Sequence, residues 1–190
     1  MDKGLRSFYN LVEAFESLPT IGRKSALRLA YHITMGDSHC GLKIAHAIEN
    51  AIKNVQQCKY CGSMSEYEVC EICLDDSRSG LIVAIVQNAK DIFVLEESKR
   101  FQGKYFVLSE VNEYLIEKLK NFIAFNKTEE ILFAITPSLA SDVVIIHIED
   151  RLKDFGLKFS KIAQGVPTGV SLENVDMMSL VRAIESRVNV

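Results

Sequence analysis

The chain has 190 residues, 48% of them apolar and 25% charged, and a net charge of −3. It is long enough for one large or two small globular domains with a real core. It has no run near the roughly 18 to 20 apolar residues of a membrane span, and Met1–Arg6 lacks the basic-then-apolar run of a signal peptide, so a cytoplasmic protein is expected. The negative sum argues against indiscriminate nucleic-acid binding, but its distribution is uneven. Residues 1–57 carry 7 Lys and Arg against 5 Asp and Glu, whereas residues 58–80 carry 2 against 5 and residues 81–190 carry 13 against 15. A phosphate-binding face is therefore expected near the N-terminus.

In chain order, Leu5, Phe8, Leu11, Val12 and Phe15 recur at helical spacing, which predicts a helix over residues 5–17. Pro19 should end it, because the residue before a proline avoids the helical region. Helical spacing resumes over Lys24–Ile33 through Ala26, Leu29, Ala30 and Ile33. Gly22 lies in the turn, where backbone can approach a phosphate closely, and the amides opening the second helix form an anion site. Arg23 adjoins this turn, and Lys24 and Arg28, four residues apart, share a helix face and can flank that phosphate. Such contacts read backbone rather than sequence. A plain helical hairpin with solvated basic residues is the alternative. Gly36–Gly41 reads as a loop containing Cys40, a lone cysteine, and Leu42–Gln57 as a further amphipathic segment.

Cys58-Lys59-Tyr60-Cys61 and Cys70-Glu71-Ile72-Cys73 then form two CxxC pairs separated by eight residues. Each pair makes a knuckle pointing two sulfurs inward, and two knuckles complete a tetrahedron, as in a four-cysteine zinc site. A disulfide-stapled hairpin needs an oxidising compartment, for which the sequence gives no sign. Four thiolates would fill the shell, so one structural zinc is expected rather than a catalytic one. Beyond this knuckle the pattern alternates. Strands are expected at Leu81–Val86, Lys104–Leu108, Ile131–Ile135 and Lys158–Ala163, and helices at Asp91–Ser98, Glu113–Phe125 and Leu139–Phe155. That alternation implies a mostly parallel α/β sheet. Pro167 and Gly169 mark a loop before a closing helix over Met177–Val188. Leu172-Glu173-x-x-Asp176 at its start reads as a cap rather than a site.

Leu18-Pro19-Thr20-Ile21-Gly22-Arg23-Lys24-Ser25-Ala26 resembles the helix-hairpin-helix DNA-binding motif. With the Cys58–Cys73 knuckle, its exit through Asp75 and Arg78, and Ile162-Ala163-Gln164-Gly165-Val166-Pro167-Thr168-Gly169, the whole chain resembles the RecR family of bacterial recombination mediators. The resemblance implies an α/β protein with a helical helix-hairpin-helix domain at 1–57, a zinc knuckle at 58–79, a Toprim-like sheet with flanking helices at 80–163, and a C-terminal loop and helix at 164–190. It also implies a DNA-repair factor without catalytic turnover. Such proteins bind single- and double-stranded DNA without sequence preference and work with RecO, and in many bacteria RecF, to load RecA onto strands coated by SSB. Members form homo-oligomeric rings, tetramer or dimer. Gly22, Arg23, Lys24 and Arg28 match the residues expected to face DNA.

The chain also departs from the family pattern. Toprim enzymes place a glutamate after the first strand and a later acidic pair around Mg²⁺, where this chain has Gln87 and, at the later string, Ala140 with Asp142. A neutral amide cannot supply the charge a hard cation needs. The departures mark a divergent member, and the alternative of a Toprim-type metal-dependent nuclease or primase is weakened. In relatives the acidic patch is implicated in docking RecO, which makes the surviving Asp91, Glu96 and Asp142 the candidate partner-binding residues. A zinc-stabilised adaptor that binds only protein is a third reading.

Overall fold

A computed structural model describes residues 4–163, 165–166 and 169–185, except for the side chain of Glu185. By their contacts the residues divide into two units, Met1–Val55 and Gln56–Val190. Among its described residues the first contains helices and no strand. Helix α1 (Arg6–Glu16) and helix α2 (Arg23–Tyr31) pack through Val12, Ala26 and Ala30, all fully buried, with Phe8, Leu11, Phe15 and Ile21 around them. Two alanines four apart give α2 a flat strip that lets α1 lie close. Leu29, expected on that strip, is instead 39% exposed.

The expected loop at Gly36–Gly41 does not form. The chain leaves α2 directly into a π-helical turn over His32–Gly36, and Asp37 then caps helix α3 (Ser38–Asn54). The carboxylate of Asp37 accepts the Cys40 amide at 2.8 Å, satisfying one of the orphan donors of the first turn. The two glycines therefore serve packing more than chain reversal. A methyl group on Gly41 would lie 2.3 Å from Ile33 Cγ2, so glycine is what allows α3 to pass this segment. Cys40, half-buried, sits inside the helix rather than in a loop.

The second unit opens with a two-residue antiparallel ladder, β1 (Gln56–Gln57) with β2 (Met64–Ser65), followed by the short helix α4 (Glu71–Leu74). Four parallel strands follow: β3 (Ser79–Val86), β4 (Gly103–Val107), β5 (Glu130–Phe133) and β6 (Lys158–Lys161), ordered β4-β3-β5-β6. Helices α5 (Ala89–Glu97), α6 (Glu113–Asn126) and α7 (Leu139–Leu152) connect them, with a 3-10 turn at Lys153–Phe155 closing the last. The mostly parallel sheet is thus as expected, although β5 stops at Phe133 and β6 at Lys161, each two residues before its expected end. β3 carries a register shift between Ser79 and Val83. One core cluster joins Val83, Ile85, Phe106, Ile116, Leu119 and Ile131 to Cys58, Cys61 and Cys70, so knuckle and sheet share a core. The closing helix α8 is described over Met177–Glu185. Its expected extension to Val188, and Gln164, Pro167 and Thr168 of the preceding loop, lie outside the described residues.

Candidate nucleic-acid interface and zinc centre

Lys24 and Arg28 sit two positions from Ala26 and Ala30, about 200° around the helix, so the cations face away from the α1 contact. Both are exposed and, among the described residues, neither has an ion-pair partner. Arg23 differs, because its guanidinium bonds Glu16 of α1 at 2.9 Å, and this contact raises its already high pKa. Gly22 precedes α2 with φ −88° and ψ 166°, an ordinary extended conformation, and no atom lies within 4 Å of where its Cβ would be. Its glycine is not demanded by the backbone; what it leaves is unobstructed access to the uncapped first amides of α2. The left-handed residue of this turn is Thr20, at φ 69°, which sequence reasoning missed because a β-branched residue is the least expected there.

The sulfurs of Cys58, Cys61, Cys70 and Cys73 all lie within 4.8 Å of one another, with Cys61 and Cys70 3.5 Å apart and Cys58 and Cys73 3.9 Å apart. Zinc–thiolate bonds of about 2.3 Å place tetrahedral sulfurs ~3.8 Å apart, so the donor set fits a closed zinc shell. Outer hydrogen bonds are in place: the Cys70 amide donates to Cys58 Sγ at 3.3 Å and the Ser63 amide to Cys61 Sγ at 3.4 Å. Gly62, at φ 77°, makes the knuckle turn, and the Cys61 carbonyl accepts the Val107 amide at 2.7 Å, fastening the knuckle to the end of β4. Bound there, zinc supplies structural stability.

The three acids singled out from sequence do not converge. Asp91 closes a capping box at the start of α5, its Oδ2 accepting the Asn88 amide at 3.1 Å. Glu96 accepts from Arg78 and from the Tyr105 hydroxyl, the latter at 2.6 Å. Asp142 lies in the first turn of α7, 3.9 Å from Lys161 Nζ. Among the described residues the four cysteines are the sole group of three or more potential ligands whose atoms meet. A crevice of about 750 Å³ opens beyond the carboxyl ends of β5 and β6, against α5, lined by Asp91, Ser138, Asp176 and Arg182 among others. Ser138 and Arg182 were not foreseen; the Ser138-x-x-Ser141 capping pattern was the available signal for the first. Asp176 caps α8 by accepting the Ser179 amide at 2.9 Å, as its spacing suggests, and hydrogen bonding from the Ser179 side chain, then from its amide, lowers its pKa. No helix among the described residues is long and apolar enough to cross a membrane.

Comparison with known proteins agrees with this architecture. Residues 8–52 match the family described as RecR, helix-hairpin-helix, and residues 55–75 match the RecR four-cysteine zinc finger domain. Recombination protein RecR of Campylobacter jejuni subsp. doylei is 52% identical over 190 residues, all of both chains. That of Nitratiruptor sp. is 51% identical over 186 residues, 98% of each, and that of Helicobacter pylori 45% identical over 184 residues, 97% of this chain and 95% of the relative. The chain therefore belongs to the RecR family of recombination proteins, with a helix-hairpin-helix, one structural zinc in a four-cysteine knuckle, and a parallel α/β sheet.

Proposed function

We propose that the protein is a DNA-binding recombination mediator that acts without catalytic turnover. In this reading it works with RecO, and with RecF where that protein is present, to help load RecA onto single strands coated by SSB. The observation that carries it is the outward face of α2, where Lys24 and Arg28 flank the open amide end at Gly22, opposite the buried Ala26 and Ala30. A phosphate seated there meets two exposed cations and a helix N-terminus, none of which reads a base. Binding is then modest per chain and not sequence-specific, and a homo-oligomeric ring of two or four copies multiplies the contacts. Asp91 and Asp142, both half-buried, would present the acidic surface toward RecO, whereas Glu96 is committed within the fold. A nuclease or primase would need carboxylates gathered around a metal; Gln87 is an amide, and Asp91 and Asp142 each have a local partner.

The test is fluorescence anisotropy of labelled single- and double-stranded DNA with the wild type and Lys24→Ala/Arg28→Ala. Light scattering with and without DNA would run in parallel. The reading expects salt-dependent binding that the double substitution weakens by about ten-fold or more, and binding that rises with oligomerisation. Unchanged binding in the variant would favour a protein-only adaptor. Turnover of DNA with a divalent metal, abolished by Asp142→Ala, would favour the enzyme.

A further inference from the structure

Helix α6 has two faces, and only one of them is buried in the core. Ile116, Leu119, Phe122 and Ile123 are buried against the sheet. Tyr114, Lys118, Asn121 and Phe125 recur at spacings of four, three and four, which puts them in one stripe on the other side. Tyr114 is 73% exposed and Phe125 77% exposed, far more than the core of α6 explains. The Phe125 ring is parallel to Tyr60 at the tip of the zinc knuckle, at 12° and 6.1 Å between centroids. Lys59 holds its ammonium 5.2 Å from the centre of the Tyr60 ring. Between stripe and knuckle runs a groove of about 490 Å³, with Lys59 and Lys118 along it and Phe122 contributing to its lining.

We propose that this surface is a second nucleic-acid site, a stacking platform for the unpaired bases of a single strand, separate from the phosphate-binding turn of α2. Three exposed rings offer flat faces that any base can cover, and stacking of this kind is tolerant of sequence. The charges suit a polyanion. Lys59 and Lys118 border the rings, and the acid in the groove, Glu117, is neutralised by Lys120 at 2.8 Å. The ion pair of Lys59 with Glu68 is solvent-exposed on both sides, and so is readily exchanged for a phosphate. Asn121, between Lys118 and Phe125 on the stripe, adds donors and an acceptor for a base edge. A duplex hides its base faces within the stack and gains little here. Rings also line grooves for proline-rich peptides, but Lys59 and Lys118 bordering these rings select for a polyanion.

The 190-residue chain contains no tryptophan, so Phe125→Trp introduces a single reporter at the platform while keeping a stackable ring. Labelled oligo(dT) and a blunt duplex of the same length are the probes, with zinc content checked for each variant. Phe125→Ala and Tyr114→Ala should each weaken oligo(dT) binding roughly ten-fold, in keeping with the loss of one stacked base. Duplex binding should change less than about two-fold. Phe125→Trp should retain affinity, and its fluorescence should be quenched on saturation with oligo(dT). Unaltered oligo(dT) affinity in the alanine variants, an equal loss for duplex, or an unquenched tryptophan at saturation would each overturn the proposal. So would loss of binding to a protein partner with oligo(dT) affinity intact, which would make the surface a protein interface.

Discussion

Arg78 and Glu96 form a two-pronged ion pair that ties the exit of the zinc knuckle to helix α5, the NH1–Oε1 contact measuring 2.9 Å. The arginine side chain is 13% exposed and the glutamate 30%, and the Tyr105 hydroxyl donates to the same carboxylate. Burial works to raise the Glu96 pKa, but the hydrogen bonds from Arg78 and Tyr105 outweigh it and hold the value below its ordinary 4.5. Because the folded pKa is the lower one, the contribution is complete above about 4.5 and is lost as pH falls through the folded value. Glu96→Ala leaves a largely buried guanidinium without its main partner and should cost about 2–3 kcal/mol in urea unfolding at neutral pH. The gap between wild type and variant should narrow as the titration is carried into acid. A constant gap down to the lowest measurable pH would contradict the assignment.

The zinc centre is tested by removing one donor. Cys58 is fully buried, within a core it shares with Val83, Ile85 and Phe106. Cys58→Ser should therefore lose zinc and unsettle the sheet as well as the knuckle, because metal binding supplies folding free energy. Stoichiometric metal analysis and thermal melting provide the measurements, with broadened or lowered melting and loss of oligomers expected. Chelation should act in the same direction and more easily in mild acid, where protons compete for the thiolates. A variant that keeps its zinc and its melting temperature would rule out the structural role.

The turn between α1 and α2 separates stability from binding. Thr20 holds φ 69°, a conformation that costs a β-branched residue about 1–2 kcal/mol, whereas Gly22 is extended and unobstructed. Thr20→Gly should leave the fold unchanged or stabilise it by up to ~1 kcal/mol, the relief being offset by chain entropy. Gly22→Ala should leave stability within about 0.5 kcal/mol yet weaken DNA binding, since its methyl group stands beside the amide end of α2. Parallel urea melts and anisotropy titrations would separate the two effects. Equal losses of stability and binding in Gly22→Ala would mean that the glycine is structural.

Some of these features are legible in the residues alone, and others arise only on packing. The four cysteines can be read because a closed metal shell leaves little freedom in spacing, and the parallel sheet because strands and helices alternate along the chain. The loop reading of Gly36–Gly41 fails for a physical reason. Glycine signals a turn when its backbone freedom is used, but Gly41 is needed for the absence of a side chain beside Ile33, and Asp37 has already started the helix. The commitment of Glu96 to Arg78 and Tyr105 is hidden for another reason. Its partners lie 18 and 9 residues away and meet it only once α5 and β4 are packed. The exposed stripe on α6 is masked by the core pattern of the same helix, whose apolar residues account for the periodicity unaided.

The α2 cations can be told apart by salt. Each phosphate contact removed should lower the slope of log affinity against log salt by about one, so Lys24→Ala and Arg28→Ala should each flatten it by that amount. Arg23→Ala should flatten it less, because that guanidinium is already shared with Glu16 at 2.9 Å and must leave the carboxylate to reach DNA. Glu16→Ala provides the converse. It frees Arg23 and removes a negative charge near the turn, so affinity should rise a few-fold and the slope should steepen. The ion pair is exposed on both sides, at 50% and 38%, so its loss should barely change the melting temperature. If Glu16→Ala left both affinity and slope unchanged, Arg23 would lie outside the interface, and the phosphate site would consist of Lys24, Arg28 and the amides that follow Gly22.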